Sequence, residues 1–145
     1  MALNLGKNKS SAPDSTSDFT TGVAKFGPLV DVLVINVSSP NTPGLRGMQG
    51  RGMLEELLGE VVKTRDALPA RNKEEWKWEK AKIVVKVAPD LTDEEMEGVA
   101  AAVKESGVDG VIVSNTTIQR PPDLLSGQSI VFLTHLSKPY NVRRL

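Results

Sequence analysis

The stretch from Asp31 to Gln49 reads DVLVINVSSPNTPGLRGMQ, and it decides the fold. An apolar run from Val32 to Val37 is interrupted only by Asn36, and the residues from Ser38 to Gly44 carry hydroxyl groups, amides, prolines and a glycine. Short apolar runs with β-branched residues predict a strand that is buried on both faces. The prolines after it restrict the backbone and predict a loop. The strand therefore delivers polar groups to its C-terminal end, where ligands bind in α/β sheets.

Strands and helices alternate along the rest of the chain. The predicted elements are a strand in Met1–Asn4 whose beginning we expect to be missing, helices over Asp18–Phe26, Met53–Leu68 and Thr92–Ser106, and strands over Ile83–Val87 and Val111–Val113. Thr92 and Glu95 have the spacing of a capping box, and Gly107 is placed to end the same helix. This alternation predicts βαβ units and a parallel sheet.

Polar residues come after each successive strand, and no G-x-G-x-x-G motif is found at any of these positions. The absence of that motif argues against a dinucleotide-binding fold, and the polar strand ends favour a (β/α)₈ barrel. A complete barrel needs about 250 residues, whereas this chain has 145. We therefore expect an α/β fold that is a partial (β/α)₈ TIM barrel, with about three consecutive βα units.

The composition excludes several classes of function. Eighteen basic and eighteen acidic residues cancel, so nothing suggests a nucleic-acid partner. With no cysteine and one histidine, His135, the chain cannot form a disulfide, a thiolate metal site or a His-rich metal site. No apolar run reaches the length of about 18 residues that a membrane span requires. The first motif begins at Asn4, so we expect this sequence to carry no targeting peptide.

Several polar residues stand where chemistry is expected, and each has an alternative explanation. Asn36 either bonds to neighbouring backbone or meets a flat heterocycle beside the strand. Lys86 either extends out at the strand end or meets an anion or polarisable acceptor. Ser39, Ser114 and Asn115 are also residue types that occur in turns. The charged connector from Ala70 to Lys82, with Trp76 and Trp78, is best explained as a solvated segment whose indoles lie on the barrel wall.

The segment from Asn36 to Arg46 resembles the active-site loop of dihydroorotate dehydrogenase of class 2, the membrane-associated, quinone-reducing class. The related soluble class carries cysteine where this chain has Ser39. Three further segments match the same family in the right order: NLGKNK at Asn4–Lys9, VVKVAPDLT at Val84–Thr92, and VSNTT at Val113–Thr117 with Arg120–Pro121 after it.

This resemblance implies FMN-dependent oxidation of dihydroorotate to orotate, with ubiquinone as acceptor, in pyrimidine biosynthesis at the mitochondrial inner membrane. Ser39 would be the catalytic base, taking a proton from C5 while hydride leaves C6 for the flavin. The substrate-binding residues implied are Asn36, Asn41, Asn115 and Thr116, and the FMN-binding residues are Asn4, Asn36, Lys86 and Ser114.

Residues 125–145 (LSGQSIVFLTHLSKPYNVRRL) do not resemble the corresponding segment of the family. We therefore expect a central barrel segment over 1–124, truncated at both ends, and a divergent, irregular tail over 125–145. Such a tail fits an unspliced intron or a misplaced exon boundary. A partial barrel leaves the sheet open at its edges, so we expect that the isolated chain does not catalyse the reaction. The alternatives are a non-catalytic chain that binds neither flavin nor substrate, and another FMN-dependent barrel oxidoreductase.

Overall fold

A computed structural model of the chain describes residues 1–39, 47, 50–72, 74–117 and 119. Four parallel strands form one sheet in the order β1-β2-β3-β4, so each strand pairs with its neighbours in sequence. The strands are β1 (Ala2–Leu5), β2 (Val32–Asn36), β3 (Lys82–Val87) and β4 (Gly110–Val113), and the helices are α1 (Ser17–Phe26), α2 (Arg51–Asp66) and α3 (Asp93–Ser106). A short 3₁₀ helix, Gly27–Leu29, comes after α1. The predicted parallel α/β alternation is confirmed.

Local signals account for the ends of α3. Thr92 accepts a hydrogen bond from the backbone N–H of Glu95, and the Glu95 carboxylate accepts one from the backbone N–H of Thr92. Gly107 ends the helix with φ of 75°, a left-handed conformation that residues with a Cβ rarely adopt. The predicted capping box and glycine stop are therefore confirmed.

One face of the sheet carries the hydrophobic core. The core consists of inward residues of β2 and β3 together with apolar residues of all three helices: Leu33, Ile35, Ile83, Val85 and Val87 from the strands, and Phe19, Val23, Leu54, Leu57, Leu58, Val61, Val99 and Ala102 from the helices. Helix α1 packs closely on β1 because Gly22 has no side chain, and a Cβ there would lie 2.8 Å from Leu5 Cδ2. Burial of this apolar face is the main force that holds the helices on the sheet.

The opposite face of the sheet is only partly covered. Along β3, buried residues alternate with half-buried ones, and the half-buried set is Lys82, Val84 and Lys86. Burial on both faces, predicted for the strand Val32–Val37, holds within β2, where Leu33, Val34 and Ile35 are all buried. It does not extend to β3, because the helices of the described residues all pack against the other face. This open face carries polar residues of the strands. No helix in the described part of the chain is long and apolar enough to cross a membrane.

The connector between α2 and β3 is held to the body of the protein by Arg71. Its guanidinium lies 4.2 Å from the centroid of the Trp76 ring, and its Nη2 donates hydrogen bonds to the backbone oxygens of Gly27 and Val30. Trp78 is likewise half-buried, with Lys77 Nζ 4.9 Å from its ring centroid. Both indoles line a cavity of about 630 Å³ at the N-terminal end of β3, away from the polar strand ends.

Asp109 lies at the same N-terminal end of the sheet, directly before β4. Its carboxylate accepts hydrogen bonds from Lys82 Nζ at 2.8 Å, from the backbone N–H of Ile83 at 2.8 Å and from Arg65 Nη1 at 3.0 Å. Burial alone raises the pKa of Asp109. The hydrogen bonds from Lys82 and Ile83 and the positive charges of Lys82 and Arg65 outweigh that effect, so the pKa lies below its ordinary value. One carboxylate therefore joins α2, β3 and β4.

Candidate active site

Strand register places three of the predicted site residues on the open face of the sheet. Asn36, the last residue of β2, pairs with Lys86 of β3, and Lys86 pairs in turn with Ile112 of β4. Asn4 of β1 pairs with Val34, which lies two residues before Asn36 on the same strand. Because paired residues, and residues two apart along a strand, point to the same face of a sheet, Asn4, Asn36 and Lys86 share the face that the helices leave open.

The chain after β2 turns back on Asn36. The side-chain oxygen of Asn36 accepts a hydrogen bond from the backbone N–H of Ser38 at 3.1 Å and another from the Ser38 hydroxyl at 2.6 Å. Ser38 is fully buried, and Ser39 after it is half-buried. The side-chain oxygen of Asn36 therefore bonds to neighbouring backbone, as one of the two explanations predicted. Its Nδ2 makes no hydrogen bond with the protein in the described part of the chain.

Asn115 joins the ends of three strands. Its backbone N–H donates to the oxygen of Val87 at the end of β3, at 3.2 Å. Its side-chain Nδ2 donates to the backbone oxygen of Ser38 beyond β2, also at 3.2 Å. Its Oδ1 accepts the backbone N–H of Thr116 at 2.9 Å, a local turn contact. Asn115 therefore makes a local contact and a contact with the segment after β2, and its role in substrate binding stays a prediction.

Lys86 is half-buried on the open face. Within residues 1–39, 47, 50–72, 74–117 and 119, its ammonium group has neither a hydrogen-bond acceptor nor an ion-pair partner. A partly desolvated cation without a partner is unfavourable, so the position is suited to an anionic or electron-rich ligand. Asn4, in contrast, is exposed on the edge strand β1.

The remaining predicted residues lie around this centre. The Ser114 hydroxyl donates to the backbone oxygen of Asn115 at 3.1 Å, and Thr116 is exposed. The Thr117 hydroxyl donates to Asp90, which connects the loops after β3 and β4. Asn41 lies outside the described residues, as does the tail over 125–145. The structure thus brings together Asn36, Lys86 and Asn115, and Ser39 directly follows Ser38, which contacts both asparagines.

Sequence reasoning missed Ser38, the residue that contacts both Asn36 and Asn115. A signal was present, because an asparagine side chain commonly accepts the backbone N–H two residues later. The spacing from Asn36 to Ser38 fits that Asx turn. The contact between Ser38 and Asn115 spans 77 residues and depends on the strand register. Local sequence could not indicate it.

Comparison with known proteins identifies what this arrangement resembles. Residues 1–132 match the family described as dihydroorotate dehydrogenase. Similar curated proteins include the mitochondrial dihydroorotate dehydrogenases (quinone) of Lachancea kluyveri, 52% identical over 127 residues, and of Mus musculus, 47% identical over 124 residues. The bacterial dihydroorotate dehydrogenase (quinone) of Rhodospirillum rubrum is 48% identical over 127 residues. These alignments cover 86–87% of the chain but only 28–32% of the relatives.

Two crystal structures from Eimeria tenella are similar in fold. The chain matches the ferulenol complex of its DHODH with a TM-score of 0.77 at 41% identity, and the ligand-free DHODH with a TM-score of 0.78 at 42% identity. The alignments cover 86% and 88% of this chain, and 35% and 36% of the respective structures. The predicted α/β class, a partial (β/α)₈ barrel, is confirmed by this likeness. The proposed boundary at residue 124 stays a prediction.

Proposed function

The chain belongs to the dihydroorotate dehydrogenase family, and from this we propose that its residues serve the oxidation of dihydroorotate to orotate with FMN as cofactor and a quinone as acceptor. The observation that carries the proposal is the pairing of Asn36 with Lys86, next to Asn115, at the C-terminal ends of adjacent parallel strands. The chain spans about 28% of the length of the Lachancea relative. The proposal therefore concerns the part of the chemistry that these residues can perform.

The open face of the sheet fits a flat, electron-rich cofactor. Lys86 supplies a partly buried cation that has no partner among the described residues, and Asn4 and Asn36 supply amides on the same face. We assign these three residues, together with Ser114, to the binding of FMN. When bound, FMN would accept the hydride that leaves C6 of dihydroorotate.

Ser39 is the proposed catalytic base. It comes directly after Ser38, which is fully buried and makes three hydrogen bonds with Asn36 and Asn115, two of them through its backbone N–H and C=O. The backbone entering Ser39 is therefore held at two points. Ser39 would take the proton from C5 of dihydroorotate, a role for which a hydroxyl is suited only in a site that excludes water. Asn36, Asn41, Asn115 and Thr116 would bind the amide-like edges of the substrate.

Because one face of the sheet is open, we expect this chain to bind FMN and orotate without catalysing the oxidation. Asn36 and Lys86 are half-buried, and Thr116 is exposed, so water reaches the groups that must act in a closed environment. We expect FMN and orotate to bind weakly and dihydroorotate to be left unoxidised. The names of several relatives place them in mitochondria. For this chain, ubiquinone as acceptor and the mitochondrial inner membrane as location are proposals of the same kind.

The test is a titration of the purified 145-residue chain with FMN, monitored by flavin fluorescence, with Lys86→Met and Lys104→Met compared in parallel. Lys104 lies exposed on α3, so its replacement is a matched control for loss of a lysine. The expected result is saturable binding that Lys86→Met weakens by about tenfold and Lys104→Met leaves unchanged. Equal binding by all three proteins would refute the assignment of Lys86.

Addition of dihydroorotate to the FMN-loaded chain separates the remaining candidates. Bleaching of the flavin absorbance would show that the open site is competent and would overturn the expectation of no turnover. A chain that binds no FMN at all would favour a non-catalytic protein. A chain whose bound flavin is unaffected by orotate, but is displaced or reduced by another flat substrate, would favour a different FMN-dependent oxidoreductase.

A further inference from the structure

The orientations of the Asn36 and Asn115 amides are fixed by backbone groups. A backbone N–H can only donate a hydrogen bond, and a backbone carbonyl can only accept one. The N–H of Ser38 therefore requires the oxygen of Asn36 on its side, and the N–H of Thr116 requires the oxygen of Asn115. The carbonyl of Ser38 in turn requires the nitrogen of Asn115. Neither side-chain amide can rotate by 180° without losing these hydrogen bonds.

The hydroxyl group of Ser38 adds a second restriction at Asn36. An amide oxygen has two lone pairs, and those of Asn36 accept the N–H and the hydroxyl of Ser38, at 3.1 and 2.6 Å. The acceptor capacity of Asn36 is thereby used, while its two N–H donors contact no protein acceptor in the described part of the chain. Asn36 thus presents donors only. Asn115 keeps one N–H and one lone pair.

We propose that Ser38 is the positioning residue that makes Asn36 a pure hydrogen-bond donor and so sets the specificity of the site. The ligand must place an acceptor, such as a carbonyl oxygen, against Asn36, and an adjacent donor and acceptor, such as an N–H next to a C=O, against Asn115. A ring that presents a donor to Asn36 is disfavoured, because two donors would then face each other with no acceptor between them. The identity of the ligand rests on the proposed function, but the contacts of Ser38 do not.

The first test needs no ligand and no substitution. In ¹⁵N-labelled wild-type chain, both side-chain amide protons of Asn36 are expected to exchange with water quickly, because no group among the described residues accepts them. One amide proton of Asn115 is expected to exchange more slowly, because it is bound to the carbonyl of Ser38. Asn36 protons that are protected as well as or better than those of Asn115 would overturn the proposal.

The second test compares Ser38→Ala, Ser38→Cys and Ser106→Ala. Ser106 bears a partly buried hydroxyl on α3 that donates to the backbone oxygen of Val103 in its own helix. Ser38→Ala is expected to shift the Asn36 side-chain amide resonances, because the Asn36 oxygen loses one hydrogen-bond donor and its N–H groups become less polarised. The backbone resonances away from β2 are expected to stay unchanged. Ser38→Cys, a weak donor, should give a smaller shift, and Ser106→Ala none. Unchanged Asn36 signals in a folded Ser38→Ala chain would refute the role of Ser38.

Titration with orotate distinguishes failure of this inference from failure of the proposed function. Orotate should shift the Asn36 and Asn115 amide signals of the wild-type chain, and Ser38→Ala should bind it about tenfold more weakly. Equal orotate affinity in wild type and Ser38→Ala would contradict the specificity role. Orotate that shifts no signal in wild type would contradict the proposed function, while the ligand-free spectra would still decide how Ser38 orients Asn36.

Discussion

Replacement of Asp109 by asparagine should loosen the N-terminal end of the sheet by a measurable amount. The carboxylate receives hydrogen bonds from Arg65, Lys82 and the backbone of Ile83, at 2.8–3.0 Å. Asparagine keeps the size of the side chain and leaves an acceptor for the Ile83 N–H. It removes the negative charge that the two cations share.

The size of the effect depends on the exposure of each partner. The Arg65 side chain is 12% exposed and that of Asp109 is 22% exposed, so their hydrogen bond has the strength of a charge-assisted, partly buried contact, about 1.5 kcal/mol. The Lys82 side chain is 40% exposed, and solvent screening limits its contribution to about 0.5 kcal/mol. We therefore expect Asp109→Asn to lower the free energy of unfolding by about 2 kcal/mol.

Urea unfolding monitored by circular dichroism at pH 7 would measure this loss. The matched control is Asp66→Asn, because Asp66 also contacts Arg65, at 2.7 Å, but its side chain is 54% exposed. The control should change the free energy of unfolding by less than about 0.5 kcal/mol. If the two variants lost equal stability, or if Asp109→Asn unfolded like wild type, the assignment of Asp109 as the connecting residue would be refuted.

The pH dependence gives a second check on the same residue. Because the pKa of Asp109 is lowered in the folded chain, its ionised form contributes stability above its ordinary pKa of 3.8, and that stability is lost as the pH falls through the lower, folded value. The difference between wild type and Asp109→Asn should therefore be constant above about pH 5 and shrink in acid. A difference that is unchanged after full protonation of the carboxyl groups would contradict the electrostatic explanation.

Three further substitutions test the site and the ends of α3. Lys86→Met should leave the free energy of unfolding unchanged or raise it, because it removes a half-buried cation without a partner among the described residues. A loss above about 1 kcal/mol in urea unfolding would show that Lys86 stabilises the fold. Thr92→Ala should lower stability by about 1 kcal/mol through loss of the cap on α3, with Thr92→Ser close to wild type, and equal stability of both variants would exclude the capping role. Gly107→Ala should lower the thermal midpoint by a few degrees, since about 1 kcal/mol is needed to hold a residue with a Cβ in the left-handed region; an unchanged midpoint would contradict this.

Local sequence signals were sufficient for much of the fold. The capping box of Thr92 and Glu95 and the glycine stop at Gly107 each depend on residues within a few positions of one another. Such signals act before tertiary structure forms, so they can be recognised without it. The position of Asn36 at the end of a strand was predictable from the same kind of local pattern.

Contacts between distant segments could not be predicted in this way. Asp109 meets Arg65 across 44 residues, and Asn115 meets Ser38 across 77. Each contact requires the pairing register of the strands, which local patterns do not specify when flanking runs are uniformly apolar. The apolar run of β3 resembles that of β2, yet one of its faces is only half-buried, because burial depends on which helices pack against each face.

The pairing of Asn36 with Lys86 makes a shifted alignment of β2 and β3 energetically unfavourable. In a parallel ladder, a shift of one residue between β2 and β3 would turn one of these side chains toward the helices. The misaligned chain would place an amide or an ammonium group in the hydrocarbon interior and would separate the two groups proposed to bind the cofactor. A wrongly aligned chain would thus be both unstable and unable to bind, so selection for ligand binding would also select for accurate strand alignment.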